Sequence, residues 1–308
     1  MSDIYQAQSP SSVRTWLREV RAHPVITGFG ILAASAFVVM LARGLWMPAG
    51  DVPSARNAVL AGIAGFAATA FGAALGAFLR KLSAVAEDSM LGFAAGMMLA
   101  ASSFSLIVPA LAAAKDITGS ASLSALTVAA GLALGAALML GIDQFTPHEH
   151  AKSGPCGPGA ERIERVWLFF FAITLHNFPE GMALGVSFAQ GDLATGLPLT
   201  AAIAIQDVPE GLAVVMALRA AGVKTRKAVL LAIASGLTEP LGALLGISLA
   251  GGFALAYPAG LGLAAGAMLF VVSHEVIPET HRNGHQTPAT IGLMAGFALM
   301  MVLDTALG

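Results

Sequence analysis

The chain has 308 residues, of which 56% are hydrophobic and only 11% are charged, and its formal net charge is −2. Soluble domains typically carry about 25% charged residues, so this composition excludes an ordinary soluble protein, and the small net charge gives no sign of a nucleic-acid partner. The single cysteine, Cys156, excludes an internal disulfide and a metal site built from several cysteines. We therefore expect an all-α polytopic membrane protein that has the lipid bilayer as a partner.

Nine stretches of the sequence are apolar and long enough to cross a bilayer as helices, which takes about 20 residues. To within a few residues, spans 1 to 9 are 24–46, 57–79, 88–113, 122–142, 165–189, 194–218, 226–250, 254–279 and 287–307. Residues 1–23 form a polar leader that is long for a signal peptide, and no clean A-x-A cleavage site follows it, so we expect span 1 to be retained. The one substantial loop, 143–164, is polar and rich in Gly and Pro, and we expect it to be mobile.

The basic residues predict how the spans are oriented. With a cytoplasmic N-terminus, nine spans leave only Arg43, Arg56 and Lys115 of the 16 Lys and Arg residues outside. This bias follows the positive-inside rule, and one span more or fewer would scramble it. We therefore expect loop 143–164 in the cytoplasm and the C-terminus outside.

Span 3 contains a face of interest within FAAGMMLAASSFSLIVPAL. Met98, Ser102 and Ser105 are spaced so that they would share one side of an α-helix. Met98 is a candidate soft metal ligand, with core packing as the alternative. The two serines are candidates for lining an entrance route.

Spans 5, 6 and 7 have polar side chains at their centres, in ITLHNFPEGMALGVS, IAIQDVPEGLAVV and ASGLTEPLGAL. The polar set is His176, Asn177, Glu180, Gln206, Asp207, Glu210 and Glu239. A charge at the bilayer centre costs about 2.5–3.5 kcal/mol on insertion scales. No Lys or Arg of these spans lies near that depth to neutralise the four carboxylates. Protons or bound cations must therefore do so.

Spans 5 and 6 share the pattern x-[ND]-x-P-E-G. His176 and Glu180 are four residues apart and share a helix face, and Gln206 and Glu210 repeat that spacing. The proline of each hexad removes a backbone hydrogen bond, and such backbone is tolerated in a membrane only inside protein or beside a water-filled cavity. We therefore expect the two hexads to face each other and to line a site.

The chemistry of this set favours metal ions. Four carboxylates match the charge of two divalent cations, and imidazole combined with carboxylate suits Zn, Fe, Mn or Ni better than Ca or Mg. The alternative is that such residues only form hydrogen bonds between helices. That explanation suits one isolated polar residue better than four carboxylates at one depth.

HNFPEG on span 5, QDVPEG on span 6 and TEP on span 7 together resemble the Zrt/Irt-like (ZIP) divalent-metal transporters, in their GufA-like bacterial branch. The resemblance covers residues 57–307 as an eight-helix transport domain and leaves span 1 as one extra N-terminal helix. It implies inverted three-helix repeats, spans 2–4 and 7–9, around the central pair of spans 5 and 6. It also implies a bacterial inner membrane, a periplasmic C-terminus and no enzyme activity.

The resemblance further implies uptake of zinc, and of similar ions such as cadmium, iron or manganese, into the cytoplasm by alternating access. The zinc would be a bound substrate and not a cofactor. One ion would lie near His176, Glu180, Gln206 and Glu210, and a second near Asn177, Asp207 and Glu239, with Glu180 and Glu210 bridging. Many family members have His where this chain has Gln206.

Further candidate ligands lie toward the cytoplasmic ends of spans 4 and 8. His274 and Glu275, in VVSHEVIPETHR, together with Asp143 and His285 predict an exit-side metal station, with an ordinary solvated helix end as the alternative. His148 and His150 in the cytoplasmic loop are candidates for catching metal there, or are simply loop residues.

Two other functions compete with metal transport. An intramembrane metalloprotease needs H-E-x-x-H on a helix, and HEVIPETH on span 8 has its second histidine seven residues after the first. A proton- or sodium-coupled carrier of another small solute usually needs cationic groups or hydrogen-bonding groups for that solute, and we keep it as the alternative. The glycine-rich spans 2 and 8 leave a homodimer open.

Overall fold

The computed structural model describes residues 52–79, 83–146, 148–150, 154–156, 165–220, 222–250, 254–281 and 283–307. The predicted leader, 1–23, and span 1, 24–46, lie outside the described residues. Each of the other eight predicted spans is helical.

The helices are α1 (Val52–Phe78), α2 (Ala84–Ala100), α3 (Val108–Thr118), α4 (Ala121–Phe145), α5 (Arg165–Ser187), α6 (Leu193–Ala220), α7 (Thr225–Gly236), α8 (Thr238–Ala250), α9 (Ala256–Val271), α10 (Ile277–Thr280) and α11 (Gln286–Leu307). Two π-helical segments make α2 continuous with α3 and α9 continuous with α10; they are Ala101–Ile107 and Val272–Val276. Spans 2 to 9 thus correspond to α1, α2–α3, α4, α5, α6, α7–α8, α9–α10 and α11.

Seven helical stretches among the described residues are long and apolar enough to cross a membrane. They are Ser54–Phe78, Ala84–Thr118, Ala121–Gln144, Leu193–Arg219, Thr225–Ala250, Ala256–Thr280 and Gln286–Ala306. The 23-residue helix α5 carries the first hexad beside them. The molecule is therefore a helical, polytopic membrane protein, as its composition predicted.

Loop 143–164 contains a short hairpin that the sequence did not predict. Strand β1 (His148–His150) pairs antiparallel with β2 (Gly154–Cys156), and His148 lies opposite Cys156.

Local caps lie at the ends of two of the connections between helices. The hydroxyl of Ser83 accepts a hydrogen bond from the backbone N–H of Ala86 at 3.2 Å, and a carboxylate oxygen of Asp192 accepts one from the N–H of Thr195 at 2.9 Å. These are N-cap bonds that satisfy amides at the start of a helix. Gly119 ends α3 with φ of 65°, a left-handed conformation that favours glycine.

Close packing through glycines divides the long helices into pairs. Around the hexads, α1 packs on α6 and α5 packs on α8. A Cβ atom at Gly72 of α1 would collide with the carbonyl oxygen of Val208, and one at Gly242 of α8 would lie 2.7 Å from that of Phe178. No side chain separates these backbones. We call the helices around the hexads, α1, α5, α6, α7 and α8, the inner group.

The remaining long helices pair in the same way. Helix α2 packs on α11, where a Cβ atom at Gly96 would collide with the carbonyl oxygen of Leu293. Helix α4 packs on α9, where one at Gly135 would collide with that of Leu263. We call α2, α3, α4, α9, α10 and α11 the outer group.

The π-helical segment Ala101–Ile107 changes one detail of the prediction. The spacing of Met98, Ser102 and Ser105 assumed an uninterrupted α-helix, and that assumption is wrong because the helix widens after residue 100. All three side chains are nevertheless buried.

Candidate metal centre

The two proline hexads lie against each other, as their sequence pattern predicted. The side-chain amide of Gln206 on α6 donates a hydrogen bond to Oε1 of Glu180 on α5. Glu180, Asp207 and Glu210 each offer an oxygen, and these three oxygens lie within 4.8 Å of one another. Among the residues that the structure describes, this is the one group of three acidic, His or Cys side chains that meets this distance.

Glu239 joins the group from the first turn of α8. Its Oε1 accepts a hydrogen bond from the hydroxyl of Thr69 on α1 at 2.9 Å. A Cβ atom at Gly65 would collide with Oε2 of Glu239 and would lie 3.2 Å from Oδ2 of Asp207, so both carboxylates approach this glycine. We call Glu180, Asp207, Glu210 and Glu239 the carboxylate cluster.

Several oxygens at this centre receive no hydrogen bond. Glu180, Gln206 and Glu239 are 0% exposed and Asp207 is 1% exposed. One side-chain oxygen in each lacks a donor within the described part of the chain, namely Glu180 Oε2, Gln206 Oε1, Asp207 Oδ2 and Glu239 Oε2. Most buried polar atoms in proteins are hydrogen-bonded, and each one left unpaired costs about 1–3 kcal/mol. Oxygens of this kind, brought together, fit a cation.

Asn177 is 3% exposed and lies on α5 between the two charged positions of its hexad. Its predicted role as a ligand stays a prediction.

His176 lies at the edge of the centre. Its Nδ1 is 4.0 Å from Oε1 of Glu210, and its Nε2 is 2.7 Å from Oε2 of Glu275. The sequence had grouped Glu275 with the exit-side residues. The structure instead brings Glu275 against His176, from a π-helical segment in which Glu275 is buried and His274 is exposed.

The structure gives the exit-side residues several different partners. Nε2 of His274 is 3.8 Å from Oδ2 of Asp143, while Nδ1 of His285 is 2.8 Å from Oδ2 of Asp88. Asp88 was not a candidate, and its other oxygen accepts a hydrogen bond from the amide of Asn283 at 2.9 Å. The four candidates thus appear in three contacts, Asp143 with His274, Glu275 with His176 and His285 with Asp88, and their role as a metal station stays a prediction.

The remaining loop candidates are His148 and His150, whose backbones lie in β1. Their metal-binding role stays a prediction.

The candidates on span 3 have protein partners. The hydroxyl of Ser102 donates to the carbonyl oxygen of Met98 at 2.8 Å, and that of Ser105 donates to Oδ1 of Asp304 on α11 at 2.5 Å. Met98 is 1% exposed and belongs to the main hydrophobic core. Packing accounts for its burial, and its role as a ligand stays a prediction, as does the entrance route.

Sequence reasoning missed Thr69. A signal for it existed, since Thr69 is the one hydroxyl residue within 57–79. A lone Thr in an apolar helix commonly bonds to its own backbone, so the sequence alone did not separate it from an ordinary helix residue.

Comparison with known proteins gives matches along most of the chain. The family model described as ZIP Zinc transporter matches residues 144–304. The chain is 62% identical over 301 residues to the zinc transporter ZIPB of Bordetella bronchiseptica, covering 95% of this chain and 96% of that protein. It is 44% identical over 241 residues to the zinc transporter GufA of Myxococcus xanthus, covering 78% and 95%. It is 31% identical over 307 residues to the zinc transporter ZIP11 of Homo sapiens, covering 72% and 88%.

Proposed function

The chain belongs to the ZIP family of metal-ion transporters, and from this premise we propose that it takes up divalent transition-metal ions, zinc foremost, into the cytoplasm through the carboxylate cluster. The observation that carries the proposal is the set of buried oxygens without a hydrogen-bond donor at the centre. An ion passing through the centre would satisfy them. Cadmium, iron and manganese are the other proposed substrates.

We assign the ligands to two ions. His176, Glu180, Gln206 and Glu210 would hold the first, and Asn177, Asp207 and Glu239 the second, with Glu180 and Glu210 bridging. The contact of Gln206 with Glu180 and the approach of Asp207 and Glu239 to Gly65 support this division. A site of imidazole, amide and carboxylate groups suits zinc and its neighbours better than calcium or magnesium.

Constant shifts along the sequence support the proposed inverted repeats. A shift of 170 positions takes Gly72 of α1 to Gly242 of α8, and Gly96 of α2 to Gly266 of α9, and each glycine packs closely on a partner helix. The same shift relates AAGMML at 94–99 to AAGAML at 264–269. Among the described helices, α2 and α9 are also the two that run into π-helical segments.

Alternating access would move the inner group of helices against the outer group. Two polar contacts between the groups would then have to change, namely His176 with Glu275 and Asp192 with Tyr257. Because ligands must be deprotonated to bind metal, protons could drive the release of the ion. The predicted count of nine spans, the membrane orientation and the homodimer remain proposals beside this mechanism.

Radiolabelled zinc uptake into proteoliposomes tests the proposal. Glu180→Ala and Glu210→Ala should each reduce saturable uptake sharply. Asp116→Asn, at an exposed acid near the end of α3, should retain it. Cadmium, iron and manganese as competitors would rank the ions. Folded wild-type protein that takes up no more zinc than empty liposomes would favour the carrier of another solute.

A further inference from the structure

Thr69 differs from most helical Ser and Thr residues of this protein in what its hydroxyl bonds. Ser102, Thr174, Thr200 and Thr290 each donate to the carbonyl oxygen four residues earlier on their own helix, at 2.7–2.8 Å. The hydroxyl of Thr69 instead reaches across to Glu239 on another helix. Thr69 therefore bonds to a buried carboxylate and not to its own backbone.

Two further helices pack closely against Thr69. A Cβ atom at Gly211 of α6 would collide with the carbonyl oxygen of Thr69, and one at Gly236 of α7 would lie 3.2 Å from the Cβ atom of Thr69. Thr69 itself is 4% exposed. With backbone from two helices this close, the direction of its side chain is well constrained.

The repeat relation gives Thr69 a special place. The shift of 170 positions that pairs Gly72 with Gly242 also pairs Thr69 with Glu239. A shift of 30 positions takes the polar residues of the first hexad onto those of the second, His176 to Gln206, Asn177 to Asp207 and Glu180 to Glu210. Thr69 therefore occupies the eighth position of a two-fold arrangement whose other seven positions are the proposed ligands.

We propose that Thr69 is a positioning residue that fixes the carboxylate of Glu239 for the second metal ion, an inference that rests on the proposed function. Its hydroxyl occupies Oε1, and this leaves Oε2, which has no donor within the described residues, beside Asp207. A donated hydrogen bond also stabilises a carboxylate that lies in a buried, acid-rich centre. Thr69 thus acts on the ion through Glu239 and sets the affinity of the second ion without changing the first.

The test compares Thr69→Val, which keeps the shape and removes the donor, with Thr69→Ser, which keeps the donor. Zinc binding is measured by calorimetry on detergent-purified full-length protein, and zinc uptake on proteoliposomes. Thr69→Val should weaken the second ion about tenfold, as expected for losing a hydrogen bond to a charged group, and should raise the KM of uptake. Thr69→Ser should restore both. Thr200→Val, which removes a hydroxyl bonded only to its own helix, is the matched control and should behave as wild type.

A double-mutant comparison separates positioning from a merely structural effect. In a Glu239→Ala background, Thr69→Val should produce no further loss, because the carboxylate that it positions has gone. Three outcomes would overturn the role of Thr69 alone. The losses from the two mutations could be additive, or Thr69→Val could weaken the binding of both ions alike. In the third outcome, Thr69→Val binds the second ion normally while Glu239→Ala is impaired. Unchanged binding and uptake in Glu239→Ala would overturn the proposed second site itself.

Discussion

The two proline hexads share a backbone pattern and differ in what their first residue contacts. His176 opens the hexad on α5 and reaches out of the inner group, with Nε2 2.7 Å from Glu275. Gln206 opens the hexad on α6, is fully buried, and reaches inward to Glu180. The residue type at the first position of a hexad therefore decides whether that residue contacts the surrounding helices or the other hexad.

This difference divides the centre into two halves. The inner half is Glu180 with Gln206, and the outer half is His176 with Glu210. The side chain of His176 is 17% exposed and that of Glu210 is 14% exposed, whereas Gln206 and Glu180 are inaccessible. Imidazole is also a stronger ligand for zinc than an amide oxygen. The half that contacts the outer group thus carries the better neutral ligand, which fits the proposed movement of the inner group against the outer group.

Breaking the inner half should have the largest effect. Glu180→Gln removes a fully buried carboxylate that accepts a hydrogen bond from the amide of Gln206. We expect uptake to fall at least about a hundredfold, which is beyond the range typical for mutating a residue that only supports a metal ligand. Glu210→Gln, at the more exposed of the paired glutamates, should lose less. Initial rates of zinc uptake at matched protein levels would measure both. An equal or smaller loss for Glu180→Gln would contradict the distinction between the halves.

Making the two hexads alike should sharpen the comparison. Gln206→His adds a second imidazole, so zinc affinity should rise about tenfold or more and maximal uptake should fall because release is slower. His176→Gln, the reciprocal change, should lower the affinity. Zinc titrations and uptake kinetics on the two variants would show whether KM and maximal rate move in opposite directions. A Gln206→His protein with weaker zinc binding would contradict Gln206 as a ligand.

The carboxylate cluster was open to prediction because it departs from its surroundings. Carboxylates and prolines in apolar spans are rare, and the repeated spacing of the hexads identifies a shared face, so the contact between the two hexads and the approach of Glu239 followed from the sequence. The partner of His176 did not. Glu275 reaches it from a π-helical segment, Val272–Val276, and the wider turn of such a segment has no simple sequence signature.

The contacts of the exit-side residues were not predictable for a related reason. Asp143, His274 and His285 lie near one another in the span pattern, but side-chain direction at helix ends depends on connections that hydropathy does not resolve. His285 lies beyond the end of α10 and contacts Asp88 at the start of α2. Hydropathy located the helices, while the local geometry at their ends decided the partners.

Weakening the contact between His176 and Glu275 should have a smaller effect. Glu275→Gln keeps the shape and removes the charge beside Nε2 of His176, so the imidazole becomes a poorer ligand. We expect first-ion affinity to fall about tenfold, at the low end for carboxylates that hold a metal-binding histidine in place. Competition between zinc and a chelating dye would measure it. His281→Gln, at a histidine that bonds the carbonyl oxygen of Ile277, serves as a control and should leave the affinity unchanged. Loss of the second ion instead of the first would contradict the contact that we assign.

The smallest effect is expected at Tyr257, which lies at the start of α9 and is not a proposed ligand. Its hydroxyl donates to Oδ2 of Asp192 at 2.8 Å, and the same carboxylate caps α6 through the N–H of Thr195. This bond ties the outer group to the helix that carries the second hexad. Tyr257→Phe removes the tie and keeps the cap, so maximal uptake should rise up to about fivefold, the factor that corresponds to roughly 1 kcal/mol for one hydrogen bond. Zinc affinity should stay constant, because no proposed ligand is touched.

Asp192→Ala removes both the hydrogen bond from Tyr257 and the cap of α6, and it should therefore also lower the thermal stability of the protein. A changed KM with an unchanged maximal rate would show that Tyr257 acts on the ion and not on the movement of the two groups.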